Sequence, residues 1–173
     1  MRKKQIQFIA EVSIFAALAL IFDFLAGFYS AVIWPNGGSI TLAFIPIFIM
    51  GYRNGLKGGL LCGLLVGTIQ LMWSSYMLNV MQVVLDYIIP NVVLGIVGLV
   101  SKEVKEANTT KLWIVVTLSI FAATFLRFTS LTISGIVYWE TGFIASVIYN
   151  GGYTLISMVA SILLTPILVK RIR

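Results

Sequence analysis

The sequence predicts an all-α membrane protein, a compact bundle of six transmembrane helices with both termini cytoplasmic. Three observations carry that prediction. Of 173 residues, 60% are hydrophobic and 10% are charged, against about 25% charged in a soluble domain. Mean hydropathy is +1.02, far from the low hydrophobicity and high charge that disorder needs. Six spans of about 20 residues would use about 120 positions, which leaves only short connections and makes residues 1–173 one domain.

The third observation is where the charge falls. The net charge of +6 is basic, but the basic residues cluster in alternate connections. Arg2, Lys3 and Lys4 precede the first apolar run, and Arg53 and Lys57 follow the second. Lys102, Lys105 and Lys111 follow the fourth, and Lys170, Arg171 and Arg173 follow the sixth. This is the positive-inside pattern, which sets both span number and orientation. The basic excess therefore reports topology and contact with membrane lipids, and no nucleic-acid partner is expected.

The spans predicted in order are about 6–28, 39–52, 58–75, 78–100, 112–134 and 143–169. The first follows a charged MRKK start, as a signal peptide would, but its apolar stretch is longer than a signal core. The second is short: about 14 residues rise only about 21 Å. It also holds Pro46, which removes a backbone donor, so an indentation bordered by the loop Phe28 to Ser39 is expected on the outer side. That loop reads FYSAVIWPNGGS, either a plain connector or a lid with Trp34 as its pressing side chain. Around the third span Gly51, Gly55, Gly59, Gly63 and Gly67 recur every four residues, a bare stripe that lets a neighbouring helix approach. Ser13 and Ala17 form a similar small pair on the first helix. The stretch SKEVKEANTTK reads as a solvated cytoplasmic connector.

Composition also removes several chemistries. Histidine is absent and Cys62 is the single cysteine, which excludes His-based nucleophile pairs and His- or multi-Cys metal sites. No metal and no cofactor are expected. Ionisable groups inside a bilayer are costly and mark candidate sites. Asp23, Asp86 and Arg127 fall within spans, whereas Glu11 lies near the inner end of the first helix, within reach of Lys3, Lys4 or water. Arg127 is expected as the counter-ion of Asp23 or Asp86. Asp86 lies about 12 Å inward from the outer end of its helix, at the level of Tyr76, Tyr87, Trp139, Tyr149 and Asn150. An acidic cavity rich in aromatic rings suits a flat cationic ligand.

These residues resemble the thiamine-specific substrate-binding (S) component of energy-coupling-factor (ECF) vitamin transporters. EVSIFAALAL is similar to that family's first helix, whose small-xxx-small motif docks the coupling subunit, which implies docking roles for Ser13 and Ala17. YMLNVMQVVLDYIIP sets Tyr76, Asp86 and Tyr87 where the family has ligand-contacting tyrosines and its main acid. GIVYW sets Gly135 and Trp139 on the family's glycine and stacking tryptophan, Asn150 matches its pyrimidine-binding asparagine, and Trp34 resembles the tryptophan of its first outer loop. Tyr149 is the candidate substitute for a tyrosine that family members carry where this chain has Ala145. Other departures are Asp86 for a frequent glutamate, Leu131 for a histidine and Thr41 for a glutamate.

The resemblance implies a non-enzymatic thiamine-capturing subunit of the plasma membrane. Its partners would be an ECF transmembrane coupling subunit and two ATPase subunits, because no Walker motif is present here. Alternatives are an S component for another vitamin or a thiamine precursor, or a self-sufficient proton- or cation-coupled carrier using Asp86 and Arg127. An intramembrane protease built on Asp23 and Asp86 lacks a GxGD setting around either aspartate.

Overall fold

A computed structural model describes residues 2–34, 38–73 and 77–172. They form five long helices, each long and apolar enough to cross a membrane, and no strand occurs among the described residues. The helices are α1 (Arg2–Ser30), α2 (Phe44–Ile69), α3 (Val80–Glu106), α4 (Thr109–Tyr138) and α5 (Phe143–Ile172).

Helix α2 takes in the expected second and third spans as two helical arms that meet at Gly55. Its helical path is broken at Gly55, whose φ of 72° and ψ of −171° lie where side chains with a Cβ are strained. The chain reverses there. A Cβ at Gly58 would sit 3.2 Å from the carbonyl oxygen of Met50, whereas eight residues of straight helix span about 12 Å. The arms 44–54 and 56–69 thus run side by side. The expected disruption at Pro46 does not occur. Pro46 occupies the first turn of α2, where a helix has no use for the missing N–H, and residues 38–41 are non-helical.

The glycine stripe does what its spacing predicts. It faces α3, and at Gly59 a Cβ would come within 2.9 Å of Gly95 Cα, so two backbones touch where no side chain fits. Buried Ile47, Phe48, Met50, Cys62, Val66, Leu94, Val97, Leu112, Val116 and Ile120 fill the centre. In α1 the inward face carries Val12, Ala16, Ala19 and Ala26, while Ser13 and Ala17 are exposed on the other side.

The two ends of the bundle differ in kind. At one end Glu11 accepts hydrogen bonds from Arg53 (3.0 Å), Asn54 (2.6 Å) and Gln7 (3.2 Å), while Lys105 donates to the Arg53 carbonyl at 2.8 Å. The partner of Glu11 is thus Arg53, supplied by the turn of α2, rather than Lys3 or Lys4. SKEVKE, expected as connector, continues α3 as its last helical turns. At the opposite end the chain between α1 and α2 crosses toward α5: Ser30 accepts from the N–H of Ile40 at 3.0 Å, and Ser157 accepts from that of Thr41 at 3.0 Å.

Candidate functional site

Pro90 offers no N–H to the carbonyl four residues earlier, at Asp86. Around that gap α3 widens into a π turn over Val84–Ile88, a distortion that recurs at functional sites. The side chain of Ser130 on α4 donates to the Leu85 carbonyl at 2.8 Å, and Asn91 donates to that of Tyr87 at 2.7 Å. The widened turn projects Asp86 and Tyr87 toward a cavity of about 350 Å³, within the usual range of small-molecule sites.

The cavity is lined by Gly38, Asp86, Tyr87, Leu131, Gly135, Trp139, Thr141, Ala145, Ser146, Tyr149, Asn150 and Tyr153. Asp86 is the single charged group of that wall. Its Oδ2 accepts from Gln82 Nε2 at 2.5 Å and from the indole Nε1 of Trp139 at 3.1 Å. Both donors hold one oxygen, and no hydrogen bond reaches Oδ1 among the described residues.

Trp139 stands where α4 ends. The Gly135 carbonyl accepts from the N–H of Thr141 at 3.1 Å and from its hydroxyl at 2.7 Å, and Glu140 takes a φ of 51°. This tight return requires Gly135, because a Cβ there would collide with the Ser146 hydroxyl. Across the cavity, Asn150 is tied down by the protein. Its Nδ2 donates to the Ser146 carbonyl (3.0 Å), the Ser146 hydroxyl (3.3 Å) and the Leu131 carbonyl (3.4 Å), and its Oδ1 accepts from the Tyr153 hydroxyl at 2.6 Å. The donor capacity of that amide is used within the protein, so a ligand meets it as an acceptor. Tyr149 packs edge-on to Tyr153 with centroids 6.0 Å apart, and its hydroxyl accepts from the N–H of Gly38 at 3.4 Å.

Of the residues singled out from the sequence, Asp86, Tyr87, Gly135, Trp139, Tyr149 and Asn150 line this one cavity. Trp34 does not line it. Its ring packs edge-on against Tyr153 with centroids 6.1 Å apart, one layer outside the wall. Tyr76 lies outside the described residues. Sequence reasoning missed Gln82, Thr141, Ser146 and Tyr153. Only Tyr153 carried a usable signal, being one helical turn beyond Tyr149 and so on the same face. Leu131 and Ala145, noted above as departures from the resembled family, are both part of the wall.

Arg127 departs from expectation. It forms no ion pair with Asp23 or Asp86 among the described residues. Its Nη1 donates to Asn91 Oδ1 at 3.2 Å, and its guanidinium lies 4.8 Å from the Phe44 ring centroid. Asn91 in turn donates to Gln70 Oε1 at 2.7 Å. Arg127 on α4 is thus held by a neutral amide and an aromatic ring.

Comparison with known proteins gives one consistent answer. The family described as Thiamine transporter protein (Thia_YuaJ) matches residues 9–173. The thiamine transporter ThiT of Bacillus subtilis (strain 168) is 31% identical over 170 residues, 91% of this chain and 88% of that protein. ThiT of Lacticaseibacillus paracasei is 26% identical over 180 residues, 95% of this chain and 88% of that protein. A solved structure of ThiT from Listeria monocytogenes shares the fold, with a TM-score of 0.80 and 23% identity across 97% of this chain and 96% of its own. With its apolar helices and a match spanning nearly its whole length, this chain is a multi-pass membrane protein and belongs to the thiamine transporter protein family.

Proposed function

We propose that this chain is the thiamine-binding S component of an ECF-type vitamin importer in the plasma membrane. It is a single domain of six spans, with the two arms of α2 as the second and third and both termini cytoplasmic. The basic residues at 2–4, 53–57, 102–111 and 170–173 support that orientation. It performs no catalysis, in keeping with relatives named as transporters.

The observation that carries the reading is a cavity with one carboxylate and several aromatic rings, in a member of this family. Thiamine joins a cationic thiazolium to a flat aminopyrimidine. Oδ1 of Asp86 balances the cation, Trp139 and Tyr87 offer ring faces, and Oδ1 of Asn150 accepts from the amino group. Tyr149 and Gly135 complete the wall, Trp34 backs it through Tyr153, and Tyr76 is a further ligand contact by resemblance to the family. Ser13 and Ala17 on the exposed face of α1 dock the ECF coupling subunit, and ATP hydrolysis belongs to two partner ATPases.

The test is titration of the purified chain with thiamine, riboflavin and biotin, following tryptophan fluorescence. Saturable quenching by thiamine alone is expected. Equal responses to all three vitamins, or none to thiamine, would falsify the reading.

A further inference from the structure

Gln82 is fully buried although it carries a neutral amide in an apolar helix, and both ends of that amide are engaged. Its Oε1 accepts from the N–H of Leu78 at 3.1 Å, and its Nε2 donates to Asp86 Oδ2 at 2.5 Å. The amide orientation follows from the first bond: a flipped Gln82 would set an NH2 against the Leu78 N–H and a carbonyl against a carboxylate. Its own backbone N–H donates to Asn79 Oδ1 at 2.9 Å, which anchors the start of α3. Asp86 follows one turn later, where the helix widens and its own hydrogen bonding is weakest.

We propose that Gln82 is a positioning residue of the binding site: with the Trp139 indole it fixes Oδ2 of Asp86 and leaves Oδ1 to the ligand cation. This rests on the thiamine reading above and adds a residue that does not line the cavity. The short side chain of an aspartate has two torsions. Two donors on one oxygen set both torsions before a ligand arrives, so binding does not have to order the carboxylate. The same two bonds hold the Trp139 ring plane against the carboxylate, coupling the stacking face to the charge. Gln82 also adds no charge of its own, so the cavity keeps the single negative group that one cation needs.

The test is a double-mutant cycle in the purified full chain, because a residue that acts through Asp86 has nothing to act on once Asp86 is neutral. Gln82→Leu removes both bonds. Gln82→Met, uncharged and close to glutamine in length, removes the same two bonds with less change in packing, so it supplies the cycle if Gln82→Leu does not fold. Either change is expected to weaken thiamine binding by about ten- to hundredfold, the usual size for a hydrogen bond to a charged group. In an Asp86→Asn background the further loss is expected to stay below about threefold. A loss of equal size in both backgrounds assigns Gln82 to helix anchoring alone and overturns the proposal.

A second readout needs no ligand. The indole N–H resonance of Trp139 in 15N-labelled protein is expected to move in Gln82→Met, because Gln82 and Trp139 share one acceptor oxygen. An unmoved resonance also overturns the proposal. Failure of the wild-type chain to bind thiamine would count against the ligand reading, and the resonance would still decide the role of Gln82.

Discussion

Replacing Trp139 with alanine removes two things at once, a ring face on the cavity and the indole N–H that reaches Asp86. Stacking contributes about 0.5–1.5 kcal/mol and a hydrogen bond to a charged group about 1.5–3 kcal/mol. Their sum, about 2–4.5 kcal/mol, corresponds to roughly 30- to 1,600-fold weaker thiamine binding. Trp113→Ala is the matched control, since Trp113 sits near the start of α4, far along that helix from the cavity. Its affinity should stay within about twofold of wild type, and fluorescence titration of both variants checks the contrast. Asp86, Tyr87, Trp139 and Asn150 were legible in the sequence because charge, aromatic ring or amide stands out in apolar helices. Gln82 and Ser146 were not, because a neutral polar residue gives no sign of which carboxylate or carbonyl it will meet. Trp34 packs on Tyr153 behind the wall, a placement the sequence did not distinguish from direct contact, since a loop tryptophan can reach a cavity directly or through another ring.

At the scale of elements, the reversal of α2 depends on one residue. Gly55 has a backbone conformation costing about 1–3 kcal/mol for any other residue. Gly55→Ala should therefore lower the melting temperature by roughly 2–12 °C in a chain of this size. Gly27→Ala, where nothing lies within 4 Å of the added methyl, should leave it nearly unchanged, and thermal unfolding in detergent measures both. Helix α1 carries a separate expectation. Ser13 and Ala17 are exposed, far along that helix from the cavity, so Ala17→Trp should impair uptake by the assembled importer while leaving thiamine affinity intact. Uptake assays beside binding assays separate the two, and unimpaired uptake would place docking elsewhere. The glycine stripe announced the α2–α3 contact by its four-residue spacing. The turn at Gly55 falls inside the connection expected between the second and third spans, because Arg53 and Lys57 interrupt the apolar run there. Pro46 drew attention for its missing donor, yet in a first turn that donor is surplus.

For the whole molecule, composition alone was enough for an all-helical membrane protein, since nothing else can hold so much apolar sequence in so few loops. The distribution of basic residues adds an orientation that the helices by themselves do not supply. Reporter fusions or cysteine labelling should find the Asn108 connection and both termini on the cytoplasmic side, and Trp34 and Glu140 outside. The cavity then opens outward, at the end of the bundle opposite the Glu11–Arg53 pair. Closing that basic end, Glu11, Arg53, Asn54 and Lys105 tie α1, the turn of α2 and α3 together.

The central claim is that Asp86 receives the positive charge of thiamine in this cavity. Its most direct test is an equilibrium titration of folded wild-type and Asp86→Asn protein with thiamine and with a neutral analogue lacking the thiazolium charge. Loss of a desolvated charge pair typically costs about 2–5 kcal/mol, or roughly 30- to 5,000-fold in affinity. Asp86→Asn is expected to show a loss of that size for thiamine and a much smaller one for the neutral analogue. Equal losses for both ligands would move Asp86 away from the cation, and unchanged thiamine binding by Asp86→Asn would contradict the site as a whole.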